Sequence, residues 1–226
     1  MSENASCNAS IPFILRDCAL VSMAAGIRAQ NLKELHEGLR TVPAASIYHH
    51  FWGRFLRPQF DEPEYSNDFA SWAWRGLHDK PLAERLSMII PADFADLEDL
   101  REELLDVVAE RLDESETIPW SKVDQQFHFL RSQIIVFETG RHILRPEEIQ
   151  PQLPTLNSGS IYYHFIDARR RTPLHQDDFS AWLEGLGEPY RELAAALEQI
   201  DPYFSSLEEL RDLIAAAFRE HLPGGD

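Results

Sequence analysis

Positive charge is what this chain has least of. Its 226 residues carry 21 Lys and Arg against 38 Asp and Glu, a formal net charge of −17. That balance argues against a nucleic-acid binder, which needs clustered cations to displace counterions from phosphates. It argues equally against docking on an anionic membrane surface. No apolar run approaches the ~18–20 residues of a membrane span. Cysteine is scarce too: Cys7 and Cys18 are the only two. One disulfide exists on paper, but two free thiols in a reducing compartment is the reading taken. Met1 to Ser10 lacks the basic and apolar regions of a secretory signal, so a frayed tail on a cytoplasmic protein is expected. The glycines are scattered, with no phosphate-cradling loop. There is no Gly-x-Ser-x-Gly elbow and no cysteine with a recurring histidine partner, so nucleophilic catalysis finds no support.

What the chain does have is a core and a repeated motif. Apolar residues make up 44%, with 13 Phe and 5 Trp, enough to build a packed interior. Ser46-Ile47-Tyr48-His49-His50-Phe51 returns 114 residues later as Ser160-Ile161-Tyr162-Tyr163-His164-Phe165. The same offset pairs Phe13 with Phe127, Leu20 with Ile134, Gly26 with Gly140 and Leu39 with Leu153. After the motif the offset falls to 110 and pairs Asp68-Phe69 with Asp178-Phe179, Trp72 with Trp182 and Leu100-Arg101 with Leu210-Arg211. The expected organisation is therefore copy 1 at 11–112 and copy 2 at 125–222, with a disordered tail at 1–10 and a linker at 113–124. Negative charge is spread over both copies rather than gathered in a tail.

The fold class this predicts is mainly α: two tandem homologous helical repeats with approximate twofold symmetry, as if an ancestral homodimer had been fused. The opening of each copy reads two ways. Phe127-His-Phe alternates like a strand, whereas Cys18 to Ala25 looks helical. The reading adopted is a short extended entry, then a helix ending near Gly26 and Gly140. Asn31 with Glu34 starts the next helix, whose stripe is Leu32, Leu35 and Leu39, and Pro146 is the matching first position in copy 2. Asp68 and Asp178 are expected as N-caps of short helices that Gly76 and Gly185 end. Further helices are expected at 81–90 and 189–200. The last helix of each copy carries Leu97, Leu100, Leu104, Val108 and Leu112, matched by Leu207, Leu210, Ile214, Phe218 and Leu222 on one amphipathic face. Asp96 caps the first of these, and Ser205 with Glu208 forms a capping box on the second.

If the motif helix runs past residue 57, His50 and Arg57 fall within roughly 40° of Ser46. Tyr48, His50 and Arg57, with Tyr162, His164 and Arg171 in copy 2, are thus the candidate ligand-binding residues. Arg54, Arg169 and Arg170 make the same spots locally basic. Arginine is a fork donor to a carboxylate or phosphate, and His or Tyr can complete the hydrogen bonds. Against this, Ser46 and Ser160 also fit helix caps, and the Tyr–His pair fits a satisfied buried network that fixes packing. A metal alternative combines His50, His164, Asp68 and Asp178 at the interface between copies, as two His and two Asp holding a divalent transition metal. His49 becomes Tyr163 in copy 2, so the pattern does not need it twice.

Taken together, Gly26-Ile-Arg-Ala29, Ser-Ile-Tyr-x-His, Asn67-Asp-Phe-Ala-x-Trp72 and the closing Leu-Glu-x-Leu-Arg helix resemble an uncharacterised prokaryotic family, a domain of unknown function. The resemblance covers both copies. Copy 1 departs from it with Ala25 where that family prefers Thr, and copy 2 with Asp177 for Asn and Ile143 for Ala. It implies no established activity and carries over no catalytic residue.

The function expected from the sequence is a non-catalytic binding or interaction module presenting a Tyr/His/Arg surface to a protein partner or a small anionic metabolite. It would act as a monomer or homodimer, without cofactor, nucleic acid or membrane. The alternatives are a metal-assisted enzyme and a purely structural scaffold.

Overall fold

A computed structural model describes residues 11–56, 64–114, 125–172, 174–203 and 205–222. In chain order come strand β1 (Phe13–Ala29) and helices α1 (Leu32–Thr41), α2 (Ala44–Trp52), α3 (Asp68–Arg75), α4 (Lys80–Ser87) and α5 (Leu97–Asp113). Strand β2 (Phe127–Ile143) follows, then α6 (Pro146–Ile149), α7 (Ser158–Ile161), α8 (Ala168–Arg171), α9 (Asp178–Leu186), α10 (Arg191–Glu198) and α11 (Leu207–His221). A π-helical turn, Tyr162–Asp167, joins α7 to α8, while α2 runs into a 3₁₀ turn at Gly53–Leu56.

The two strands correct the mainly α expectation. β1 and β2 each span 17 residues and pair antiparallel in a two-stranded sheet. Cys18 to Ala25 looked helical because Ala, Leu and Met are good helix formers, but propensity is a weak prior beside strand pairing. The period-2 signal slips midway along each strand: in β1 it breaks at Val21 and Ser22 and resumes to Ala29, and in β2 every residue from Ile135 to His142 is exposed. Phe13 and Leu15 are buried, as are Phe127 and Phe129. Farther along, Val21, Ile135, Val136 and Phe137 are all exposed, so neighbouring positions there do not alternate. Gly26 and Gly140 sit inside the strands, not at helix ends, with φ of 78° and 73°. Side chains rarely adopt that conformation, which accounts for glycine at both positions.

The chain divides into two compact units that do not coincide with two sequential copies. One is Ala19–Ile135, the α1–α5 unit; the other combines Met1–Cys18 with Val136–Asp226, the α6–α11 unit. Each strand thus gives one part to each unit. The start of β1 belongs with the second set of helices, and the start of β2 with the first. The tail at 1–10, most of the linker and Arg57 lie outside the described residues.

Helix starts follow capping chemistry, one residue from the expected frame in three cases. Asn31 Oδ1 accepts the Glu34 N–H at 2.8 Å, and Glu34 returns to the Gln30 N–H at 2.8 Å. Asp96 caps α5 through the Glu98 and Asp99 N–H groups. On α3 and α9, however, the caps are Asn67, accepting from Ala70, and Asp177, accepting from Ser180. The capping box on α11 is Ser206 with Glu209. Asp68 and Asp178 are therefore the first helical residues and are released from capping. α3 ends at Gly76 in right-handed conformation, and α9 passes Gly185 to end at Gly187, where φ is 96°. The apolar stripes pack as read: Leu32, Leu35, Leu39, Leu104 and Val108 are fully buried in one unit, and Leu210, Ile214 and Phe218 in the other.

Candidate functional site

In the α1–α5 unit the motif forms a clasp on strand β2. Ser46 and His50 lie one turn apart on α2, so their side chains share a face. The Ser46 hydroxyl donates to the Leu130 carbonyl at 2.7 Å, and the Leu130 N–H donates to His50 Nε2 at 3.1 Å. Both main-chain groups of one strand residue are thereby satisfied by one helix. His50 Nδ1 lies 2.9 Å from Asp68 Oδ2 at the start of α3. Because Nε2 accepts a hydrogen bond from the backbone, the ring proton sits on Nδ1, which donates a hydrogen bond to Asp68. His50 is 2% exposed, and Phe127 and Phe69 pack on its ring at 4.7 and 5.1 Å between centroids. Trp72 on α3 holds the approach to the strand, donating from Nε1 to the Gln125 carbonyl at 2.7 Å, two residues before β2.

The α6–α11 unit holds β1 in the same way at the counterpart positions. The Arg16 N–H donates to His164 Nε2 at 2.9 Å, and His164 Nδ1 donates to Asp178 Oδ2 at 2.7 Å. Phe13 packs on the His164 ring at 4.8 Å and stacks on Phe179 at 5.0 Å. Trp182 Nε1 donates to the Ile11 carbonyl at 3.0 Å. Arg16 and Leu130 are 114 residues apart, as are Ile11 and Gln125, so each contact has its equivalent. Ser160 is the exception. It is 2% exposed, yet its hydroxyl makes no hydrogen bond among the described residues. The strand instead approaches Gly159, where a Cβ would overlap the Cys18 carbonyl oxygen.

The candidate ligand-binding residues are thus mostly interior. Tyr48 is 4% exposed and stacks on Trp52, Tyr162 is fully buried, and His50 and His164 are enclosed by aromatic rings. Among the described candidates, Arg171 alone reaches the surface. It donates to Asp178 at 2.6 Å, Asp167 at 3.1 Å and the Tyr163 carbonyl at 3.0 Å, and lies 4.0 Å over the Tyr163 ring. Burial opposes its charge, but Asp178, Tyr163 and Asp167 together raise its pKa above the ordinary guanidinium value. Its donors are spent inside the chain. Cys18 is buried, and desolvation, then Asp167 and Asp17, push its thiol up to about 12, so it is no nucleophile at neutral pH.

The metal candidates separate by unit: His50 with Asp68 in one, His164 with Asp178 in the other. His49, His50 and Asp68 bring three ligand-type atoms within 4.8 Å of one another. His50 fits such a role poorly as arranged. Both His50 nitrogens already serve in hydrogen bonds, and His49 Nδ1 is bonded to Ser132 Oγ. A ligating nitrogen needs a free lone pair. What sequence reasoning missed was the other half of each clasp. Leu130, Arg16, Gln125 and Ile11 contribute main-chain groups, to which side-chain identity is blind.

Among the described residues no helix is long and apolar enough to cross a membrane. No curated protein matches the chain. The solved structure of OrfY from Thermoproteus tenax is similar, at 30% identity and a TM-score of 0.77, covering 94% of this chain and 96% of that one. Residues 10–219 match the family of unknown function DUF5752, and the chain belongs to that family.

Proposed function

We propose that the protein is a non-catalytic binding module whose buried histidines are strand clasps rather than ligand contacts. One observation carries this reading: in both units the histidine's two ring nitrogens are consumed, one by a backbone N–H and one by a carboxylate. A histidine held so has no lone pair to offer a substrate or a metal and no reason to change protonation in a cycle. The partner is a small anionic metabolite or a protein, met by polar groups that the clasp leaves accessible. The repeated contacts support an internal duplication in which each unit borrows the entry strand of the other copy. The free, buried Cys18 thiol supports a cytoplasmic setting.

The test is a thermal-shift screen of the intact protein against small carboxylates, phosphates and sugars, with each bound compound recovered and checked by NMR. Binding that raises the melting temperature and returns the compound unaltered supports the module. A compound that is chemically converted overturns it.

A metal-assisted enzyme is the second reading, favoured by the closeness of His49, His50 and Asp68. Elemental analysis of purified protein tests its first requirement: a stoichiometric transition metal that leaves on His49→Ala would support it, and its absence after incubation with zinc or manganese would end it.

A further inference from the structure

We propose that a cleft in the α6–α11 unit, between the start of β1, the turn of β2 near Gly140 and the start of α7, binds a small organic carboxylate. This rests on the binding-module reading and gives it a site and a ligand class. The cleft has a volume of about 240 Å³ and is lined by Leu15, Thr139, Arg141, Leu156, Asn157 and Ser160, with Thr155 beside them. That is below the usual range for drug-sized ligands and suits a molecule of roughly ten heavy atoms or fewer.

The polar groups are set for an anion. Ser160 is almost fully buried, and its hydroxyl is spare. The hydroxyl itself is not enclosed: it opens on the cleft, where a ligand can reach it. Arg141 has no carboxylate partner among the described residues: its NH1 donates to the neutral Gln152 Oε1 at 3.3 Å. Its main chain is fixed through Thr139, whose hydroxyl accepts the Arg141 N–H at 3.3 Å and donates to the Leu15 carbonyl at 2.5 Å. The nearby acid, Asp17, is occupied by Asn157 Nδ2 at 2.9 Å and by the Cys18 N–H at 2.8 Å. Arg141 is the one cationic residue among those lining the cleft, so an anion's charge would be met there. Leu15 and Leu156 supply an apolar wall for a short carbon skeleton.

The other unit shows that the fold does not need this equipment. At the counterpart positions Thr139, Arg141 and Asn157 become Ala25, Ile27 and Pro43. There Ser46 spends its hydroxyl on the Leu130 carbonyl. One clasp has therefore kept its serine for structure, and the other has released it beside an added arginine. A carboxylate with a neighbouring hydroxyl matches this set: Arg141 takes the charge, and Ser160, Thr155 and Asn157 take the remaining hydrogen bonds.

The experiment titrates the ¹⁵N-labelled full-length protein with lactate, glycerate, acetate, inorganic phosphate and glucose, followed by NMR. Lactate or glycerate should bind saturably and shift the Arg141 and Ser160 signals. Arg141→Gln should weaken that binding at least tenfold and Ser160→Ala several-fold, both with the wild-type melting temperature. No saturable binding of any carboxylate up to about 10 mM, or binding insensitive to Arg141→Gln, overturns the proposal. Equal binding of glucose or phosphate overturns the ligand class. These failures differ from failure of the module reading, which would appear as chemical conversion of a bound compound wherever it binds.

Discussion

The two units solve one problem with the same side chains and then part company. In each, a histidine of the motif holds a strand N–H with Nε2 and a carboxylate with Nδ1, and a tryptophan holds a carbonyl two residues before the strand. The serine one turn earlier completes the clasp in the α1–α5 unit and is idle in the α6–α11 unit. The difference separates what the fold requires from what it tolerates. A two-stranded sheet leaves an outer edge of unpaired main-chain groups on each strand, and buried edge groups must find partners. The histidines meet that requirement on both sides, so their recurrence reports architecture. The serine is kept in both units but its hydrogen bond is not, and the residues at 139, 141 and 157 differ from their counterparts.

The largest expected effect is on the shared part. His50→Ala and His164→Ala each leave a strand N–H and a carboxylate without their ring partner. Each should cost about 3 kcal/mol, lowering the melting temperature by roughly 6–12 °C in a chain of this size. Calorimetry of the two variants should give similar losses; a large loss in one and none in the other would break the equivalence of the units.

Gly159→Ala comes next, because the added methyl meets the backbone of Cys18, which cannot turn aside. We expect a loss of about 1–3 kcal/mol by chemical denaturation. The counterpart already is Ala45, and Ala45→Gly should cost less than about 1 kcal/mol.

The serines sharpen the contrast. Ser46→Ala removes the donor to the Leu130 carbonyl and should cost about 1 kcal/mol. Ser160→Ala should be within about 0.5 kcal/mol of wild type in urea unfolding.

The smallest effect concerns the α9 cap. Burial is the largest influence on Asp177 and raises its pKa against the opposing Ser180 hydrogen bonds and Arg169. A raised folded-state value means that the stability this group contributes is present below the ordinary 3.8 and is lost as pH rises through the folded value. Asn67 makes the same cap in the other unit without charge. Asp177→Asn should therefore keep the cap, raise stability slightly at pH 7 and remove that loss from a melting-temperature profile over pH 3–7.

Much of the α-helical framework was legible beforehand, since amphipathic stripes such as Leu32, Leu35 and Leu39 and caps such as Asn31 announce themselves in side chains. The strands were not. Ala, Leu and Met around Val21 favour helix in isolation, and β2, though rich in β-formers at Ile134-Ile-Val-Phe, is exposed on both faces from Ile135 to His142. That each unit takes in the start of a strand from a distant part of the chain was hidden for a different reason: Ser46, His50 and Trp72 bond to main-chain atoms, and any residue supplies those. The motif could be read as important, and the His–Asp partnership could be guessed from two recurring residues. That the pair faces inward depended on Asp68 and Asp178 standing one place inside their helices, a shift too small for capping patterns to resolve.

The central claim is that both ring nitrogens of His50 and His164 are committed to the strand and the carboxylate. Long-range ¹H–¹⁵N NMR of the histidine side chains at neutral pH tests it directly. The account predicts that both rings are neutral, with the proton on Nδ1, and that neither spectrum changes when zinc is added. A ring protonated at Nε2, or one that shifts on binding zinc, would contradict it.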